Sequence, residues 1–348
     1  MSNKRGIVLM NLGSPDSTKV KDVRRYLAEF LMDERVIDVP YLVRLLLVRG
    51  IIAPFRAPKS AKAYKSIWTD AGSPLMVISK KLRDAVQQLT ESPVEIAMRY
   101  GSDTPKEAFD KLLQRAEDLE EVVVVPMYPH YAMSSYETAV EYAKEAHKKY
   151  NYSFKLTIIE PFYDNPIYLN ALADSMRAYT EGSDFDHFLF SYHGIPERHI
   201  LKSDITKSHC LKTANCCETP SEAHKYCYKH QCTKATHNVA AQLGIPKEKY
   251  SISFQSRLGR DPWLQPFTDK RLTAFPTEGV KNLVIACPAF VSDCLETLEE
   301  IAEEGQEMFL EAGGTSFKVV PCMNIQATWV EAVVKMIEPV QKAVTVSV

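Results

Sequence analysis

The sequence predicts an α/β protein made of two similar open halves, each a parallel sheet covered by helices. Two observations carry this. Short, β-rich apolar runs alternate with longer helix-like segments along the whole chain, and the runs divide into four and then four more. The first set is GIVLMNL (6–12), VEIAMRY (94–100), EVVVVPMY (121–128) and FKLTIIE (154–160). The second is HFLFSYH (187–193), YSISFQS (250–256), NLVIACP (282–288) and FKVVPC (317–322). Each is nearly continuous in hydrophobicity, as strands buried on both faces must be. Between them lie segments such as VKDVRRYLAEFLMD, where Val20, Val23, Tyr26, Leu27, Phe30 and Leu31 keep helical spacing. Alternation of this kind implies parallel strands joined by helical crossovers. The expected division falls near residue 155, giving halves over residues 1–155 and 156–345, with no residue-level repeat between them.

Bulk properties narrow the class. A chain of 348 residues with 45% hydrophobic content can bury two cores of ordinary size. The net charge is −2 and there is no Lys/Arg block, so nucleic acid is not an expected partner. The opening MSNKRGIVLMNLGSP is interrupted by Asn11 and Pro15, which reads as a first buried strand over residues 6–10 rather than a signal peptide. A cytosolic protein is therefore expected, where thiols stay reduced and clustered cysteines indicate metal rather than disulfides. The stretch YLVRLLLVRGIIAPF (41–55) is strongly apolar, but Arg44 and Arg49 interrupt it and it is short for a membrane span. It reads either as a buried helix plus a turn, or as an apolar lip that touches a greasy ligand or a membrane surface.

Nearly every strand ends in a polar or Pro/Gly-rich element: NLGSP, RYGSD, YPHY, SYHGIP, SFQSR and CPAFVSD. Ligands of open α/β folds bind outside the carboxyl ends of the strands, so these turns are where chemistry is expected. His193 follows a strand directly, and Gly194 and Pro196 turn the chain there. A histidine so placed either binds a metal or accepts a proton near neutral pH, or it is simply tied to a loop carbonyl. In CPAFVSDCLETLEEIAEE, Asp293, Glu296, Glu300 and Glu303 recur every three or four residues, a ladder of carboxylates on one helix face. A solvated acidic face is the ordinary explanation. Because this ladder starts at a strand end, Glu296 should reach the site while Glu300 and Glu303 recede toward water, a file of hard oxygen ligands suited to a divalent cation in transit. One histidine and one carboxylate are too few for a structural metal. They suit a metal that is handed on, or a pair that moves protons. Leu12, Met98, Tyr100, Met127, Tyr128, Tyr131, Trp263 and Phe290 supply an apolar and aromatic lining for a large, flat ligand.

The segment HCLKTANCCETPSEAHKYCYKHQC (209–232) holds Cys210, Cys216, Cys217, Cys227 and Cys232. Four thiolates in so short a loop can hold zinc or an iron–sulfur cluster, and spacing alone slightly favours zinc. His209, His224 and His230 leave a mixed ligand set open. Cys287, Cys294 and Cys322 lie in or beside strands and read as small buried hydrophobes.

The motifs VLMNLGSP, YKSIWTDAGSPL, AMRYGS, VVPMYPHYAMSSYET, LFSYHGIPERH, SFQSRLGRDPWLQP and PAFVSDCLETLEEIAEE occur in this order over nearly the whole chain. In them the sequence resembles the ferrochelatases, the enzymes that end haem synthesis. The resemblance implies two Rossmann-like, chelatase-type halves with a porphyrin cleft between them. It implies insertion of ferrous iron into protoporphyrin IX to give protohaem. It places the catalytic histidine at His193 within SYHG and the catalytic glutamate at Glu296 within ETLEE, with Tyr100 and Tyr131 near the porphyrin beside Leu12 and Trp263. His193 is then expected to accept pyrrole protons and help position the metal, and Glu296 to complete coordination or relay protons along the ladder. Cys294 stands where some relatives carry a histidine. A subset of the family is similar to this chain in carrying a [2Fe–2S] centre, which moves the expectation for the cysteines from zinc to the cluster. Neighbouring cysteines seldom both ligate one iron, so Cys210, Cys217, Cys227 and Cys232 are the expected ligands and Cys216 the exclusion. The rival readings are a coproporphyrin III ferrochelatase, another tetrapyrrole chelatase of the two-histidine kind, and a non-catalytic haem carrier, which would need no acidic file.

Overall fold

The computed structural model describes residues 4–259 and 261–344. It contains two four-stranded, wholly parallel sheets. The first is built from β1 (Arg5–Asn11), β2 (Val94–Met98), β3 (Glu121–Pro126) and β4 (Lys155–Ile158), in the order β2-β1-β3-β4. The second uses β5 (His187–His193), β6 (Tyr250–Gln255), β7 (Asn282–Ala286) and β8 (Ser316–Val319), in the order β6-β5-β7-β8. All eight expected runs are strands, and the two sheets repeat one topology. The central strands are buried except for His193 at the end of β5, which is why their sequences show no polar alternation.

The chain falls into two compact units. The first runs to Tyr128, resumes over Met133–Pro161 and takes in the chain from Val333. The second comprises Pro129–Ala132 and Phe162–Ala332. This is less simple than a single cut near residue 155. Residues 129–132 go with the second unit because its side chains hold them: Gln231 Oε1 accepts the Tyr131 backbone N–H at 2.6 Å, and His130 packs among Tyr163, Tyr192 and Tyr228.

In the first unit, the turns after β1 and β2 are pressed together. Tyr100 N–H donates to Leu12 O at 2.9 Å and Arg99 N–H to Asn11 O at 2.8 Å. Gly13 makes this approach possible: its φ is +103°, and a Cβ there would stand 2.0 Å from Tyr100 O. Segment 41–55 is helical, running through Tyr41–Leu45, a π-helical stretch Leu46–Ile52, and the start of helix Ala53–Ile67. Its helicity agrees with one expectation and its exposure with the other. Tyr41, Leu42, Val43, Leu46, Ile51 and Phe55 are all exposed, Leu46 and Phe55 by 73% and 79%. Arg44 instead turns inward and donates to Ile37 O and Val39 O. No described helix is long and apolar enough to cross a membrane.

In the second unit, Leu189, Leu272, Leu283, Ile285, Ile301 and Phe309 pack into one core that also takes in Cys287. Burying a side chain of this size stabilises the fold by roughly 1.5–3 kcal/mol. Cys294 and Cys322 are buried as well, consistent with their reading as small apolar residues.

Candidate active site

Both expected catalytic residues lie in the second unit, and the topology places both beyond the carboxyl ends of its strands. From β5 the chain goes to β6 on one side, then crosses to β7 on the other. The crevice at the carboxyl ends of β5 and β7 is therefore the switch point of this sheet. His193 is the last residue of β5, and Glu296 follows the loop leaving β7.

The His193 turn is tightly built. The peptide between His193 and Gly194 is held on both sides: Gly194 N–H donates to Gln255 O at 2.6 Å, and His193 O accepts from the Tyr228 hydroxyl at 2.9 Å. The imidazole Nδ1 lies 2.7 Å from Gly194 O. A carbonyl only accepts, so Nδ1 carries the proton and Nε2 of the neutral ring keeps its lone pair. Trp263 is docked beside this turn by Leu264 N–H→Ile195 O and Glu197 N–H→Pro262 O, and its own indole N–H goes to Leu258 O. Phe290 stands edge-on to His193 with ring centroids 6.4 Å apart.

The acidic segment differs from its expected winding. Glu296–Gly305 is π-helical, with i→i+5 bonds that widen each turn. Residues four apart, rather than alternately three and four, then follow one another along the face that carries Glu296. Glu300 lies within electrostatic reach of Glu296, Glu304 and His193. Glu304 takes the position expected of Glu303, which is exposed. Asp293 does not belong to the file either. It is buried before the helix, where its carboxylate accepts from Thr297 Oγ1 (3.0 Å), Cys322 N–H (3.2 Å) and Asn324 Nδ2 (2.6 Å). It fixes the loop from which Glu296 projects.

Burial, reinforced by the neighbouring Glu296 carboxylate, raises the Glu300 carboxyl above its ordinary value, while the Ser256 hydroxyl and His193 work the other way. Ser256 reaches Glu300 from a backbone held at φ +60°, an uncommon conformation for a side-chain-bearing residue. Cys294 is buried, and its thiol is hydrogen-bonded to the Glu296 carboxylate; burial first, then that negative charge, push the thiol up. The arrangement is a base with an open nitrogen beside a graded file of carboxylates. It can accept protons from a ligand and pass them along oxygen atoms.

The aromatic residues are placed unevenly. Tyr131 lies in the second unit, edge-on to Tyr226 at 5.1 Å. Leu12 is partly exposed at the end of β1. Tyr100 is 1% exposed: its hydroxyl donates to Asp33 at 2.9 Å and the Arg99 guanidinium covers its ring at 4.3 Å. Arg99 and Thr138 both turn to the same Asp33 carboxylate. Gln255, Ser256, Glu304 and Tyr228 were not reached from the sequence. Only the polar strand end SFQS hinted at the first two.

All five clustered cysteines are free thiols, four of them buried and Cys217 half-buried. Cys227 is their hub, hydrogen-bonded to both Cys210 and Cys217, and Cys217 also meets Cys216. Among the described residues no three side chains of His, Cys, Asp or Glu converge as a metal would hold them. Asp204 anchors the segment by accepting the backbone N–H groups of His209 and Cys210, both at 2.9 Å. The three histidines spend one nitrogen each on backbone: His209 and His224 on Cys216 O, both at 2.8 Å, and His230 on Cys217 O at 2.6 Å.

A family model described as ferrochelatase matches residues 4–340. The ferrochelatase of Pseudomonas fluorescens strain SBW25 is 47% identical over 328 residues, covering 94% of this chain and 95% of that protein. The ferrochelatase of Stutzerimonas stutzeri strain A1501 is 45% identical over 335 residues, covering 96% and 97%. Among solved structures, SirB from Bacillus subtilis with Fe3+ superposes with a TM-score of 0.53 at 12% identity, covering 96% of this chain and 94% of that one, a likeness of fold.

Proposed function

Since the chain belongs to the ferrochelatase family and inserts ferrous iron into a porphyrin for haem synthesis, we propose that His193 and Glu296 carry that reaction, with protoporphyrin IX as the substrate. The observation behind this is the His193 imidazole, whose Nδ1–H is committed to Gly194 O while Nε2 is left open beside the Glu296–Glu300–Glu304 file.

Metallation must remove two N–H protons from the ring and strip water from the cation. In the proposed sequence, Nε2 of His193 takes the two pyrrole protons one after the other, each as its nitrogen lone pair turns to the iron, and both leave by the same route. The proton moves on to Glu296 and then to Glu300, whose raised affinity for it makes it a receiver, with Glu304 toward the surface. The same oxygens replace waters on the incoming ferrous ion, a hard to borderline cation for which carboxylates are suitable ligands. Tyr131, Trp263 and Leu12 are assigned to the macrocycle. Tyr100, being buried, acts by fixing the turn after β2.

Cys210, Cys217, Cys227 and Cys232 are the proposed ligands of a [2Fe–2S] cluster. The donor set supports this in kind: Cys210 and Cys217 both meet Cys227, and Cys210, Cys227 and Cys232 are buried. Such a centre supplies a redox-sensitive staple to the loop after His193. The exposed apolar face of residues 41–55 supports a peripheral membrane contact for an otherwise cytoplasmic protein.

The test is His193→Ala assayed anaerobically with ferrous ion and either porphyrin. The variant should quench porphyrin fluorescence as the wild type does and form no metalloporphyrin. Undiminished turnover overturns the assignment, and faster turnover of coproporphyrin than protoporphyrin by the wild type overturns the choice of substrate.

A further inference from the structure

The cysteine-rich segment touches the site by two side chains that no part of the mechanism above uses. Tyr228 follows Cys227 directly, and Gln231 precedes Cys232. Both belong to the first turns of helix Tyr228–Gln242, and both are buried, Gln231 completely. We propose that Tyr228 is a positioning residue for metal insertion, holding His193 in register, and that Gln231 does the same for Tyr131. The inference rests on the reading of His193 as the proton acceptor.

The geometry is specific. The Tyr228 hydroxyl donates to His193 O at 2.9 Å, while the other side of the same peptide is bound by Gln255 O. The imidazole in turn takes its orientation from Gly194 O at 2.7 Å, one residue further on. Rotation of the His193–Gly194 peptide moves that carbonyl and swings Nε2 with it. Tyr228 is thus the side-chain half of a clamp whose other half is sheet backbone. Its ring is wedged edge-on to His130, centroids 6.0 Å apart, so the hydroxyl cannot swing away. From the same strand Tyr192 donates back to Cys232 O at 3.1 Å, so strand and thiol-bearing helix hold each other twice.

Gln231 is fully used. Its Oε1 accepts Tyr131 N–H at 2.6 Å, and its Nε2 donates to Lys225 O (2.9 Å) and His224 O (3.3 Å). One amide joins the loop between Cys217 and Cys227 to the backbone of a proposed porphyrin residue. A displacement of Cys227 or Cys232 therefore reaches His193 and Tyr131 through one hydrogen bond each.

The two links predict different kinetic signatures. Tyr228→Phe keeps the ring and deletes one hydroxyl, so kcat should fall about tenfold while the porphyrin KM and dissociation constant stay within about twofold; tenfold corresponds to ~1.4 kcal/mol. Gln231→Leu should raise the porphyrin dissociation constant by about fivefold or more with a smaller effect on kcat. Both are measured on the full chain purified anaerobically, by steady-state turnover and porphyrin fluorescence quenching, with the visible spectrum of the cysteine segment recorded for each. Wild-type kcat in Tyr228→Phe overturns the proposal, and so does a parallel loss of kcat, affinity and melting temperature, which a merely structural tyrosine would give. Should Tyr228→Phe fail to fold, unchanged porphyrin affinity in Gln231→Leu overturns it. His193→Ala run alongside separates the causes: if that variant turns over normally, the underlying reading has failed, whereas a dead His193→Ala with a fully active Tyr228→Phe removes this inference alone.

Discussion

Adding one methyl group at Gly194 should disable the site without touching any group that reacts. A Cβ built there lies 2.9 Å from Ser256 O and 3.0 Å from Gln255 O, and 3.4 Å from Trp263 Cε3. Both oxygens are backbone, and Gln255 O is already drawn to Gly194 N–H at 2.6 Å, so neither can retreat without breaking the contact that holds the turn. Overpacking of this kind costs about 1–3 kcal/mol. Relief requires the β5 and β6 ends to part by a few tenths of an ångström, which shifts Gly194 O and with it the His193 ring. Misplacement of a reacting group by about 1 Å costs about a hundredfold, so a smaller shift should lower kcat by roughly tenfold. Gly194→Ala should accordingly bind porphyrin, melt several degrees lower and metallate slowly, as read by thermal denaturation and steady-state turnover of the same preparation. A variant with wild-type melting temperature and wild-type kcat would mean that the clamp around the His193–Gly194 peptide is not what holds the imidazole, and the reasoning would be refuted.

Two further outcomes concern stability. His187, at the start of β5, is lowered to about 4 by burial and, secondarily, by the Arg271 guanidinium. A histidine that resists protonation in the folded state costs stability as pH falls from about 6.5, where the unfolded residue begins to charge, to about 4; at ~1.36 kcal/mol per unit the ceiling is about 3 kcal/mol. His187→Gln should flatten the fall in urea midpoint over that window, and an unchanged profile would show that His187 is not its source. Asp204 is well below the usual carboxylate range: burial works against this, but donors from Thr206, Cys210 and His209 outweigh it. Its contribution is present above the ordinary carboxylate pKa and is lost as pH falls through the depressed one. Asp204→Asn should cost about 1–3 kcal/mol at neutral pH and expose the 205–226 loop to limited proteolysis, with the two proteins converging in strong acid. Equal cleavage rates at neutral pH would contradict the anchoring role.

Much of the protein is legible in its sequence. Apolar runs in the order of residues mark all eight strands, although the edge strands β4 and β8 are not buried on both faces as the central ones are, and the turns that follow point to His193 and Glu296. What the pattern of residues could not reach were features set by the winding of a helix and by contacts between distant segments. Glu303 was read into the acidic file by ordinary helical spacing; π-helical winding over Glu296–Gly305 substitutes Glu304. Asp293 carries the same charge as Glu296, yet donors from Cys322 and Asn324 draw it into the loop. Tyr100 has the composition of a ligand-facing aromatic, but Asp33, 67 positions earlier, takes its hydroxyl into the core.

The sequence by itself determined the strands, their order and the two side chains proposed to react, because burial and turn chemistry are written into neighbouring residues. Only the tertiary structure decided which nitrogen of His193 is open, which carboxylates stand in line behind it, and that Tyr228 and Gln231 connect the thiol segment to the site. The last two links are hydrogen bonds between positions 35 and 100 residues apart, and direction across such a separation is a property of the folded chain.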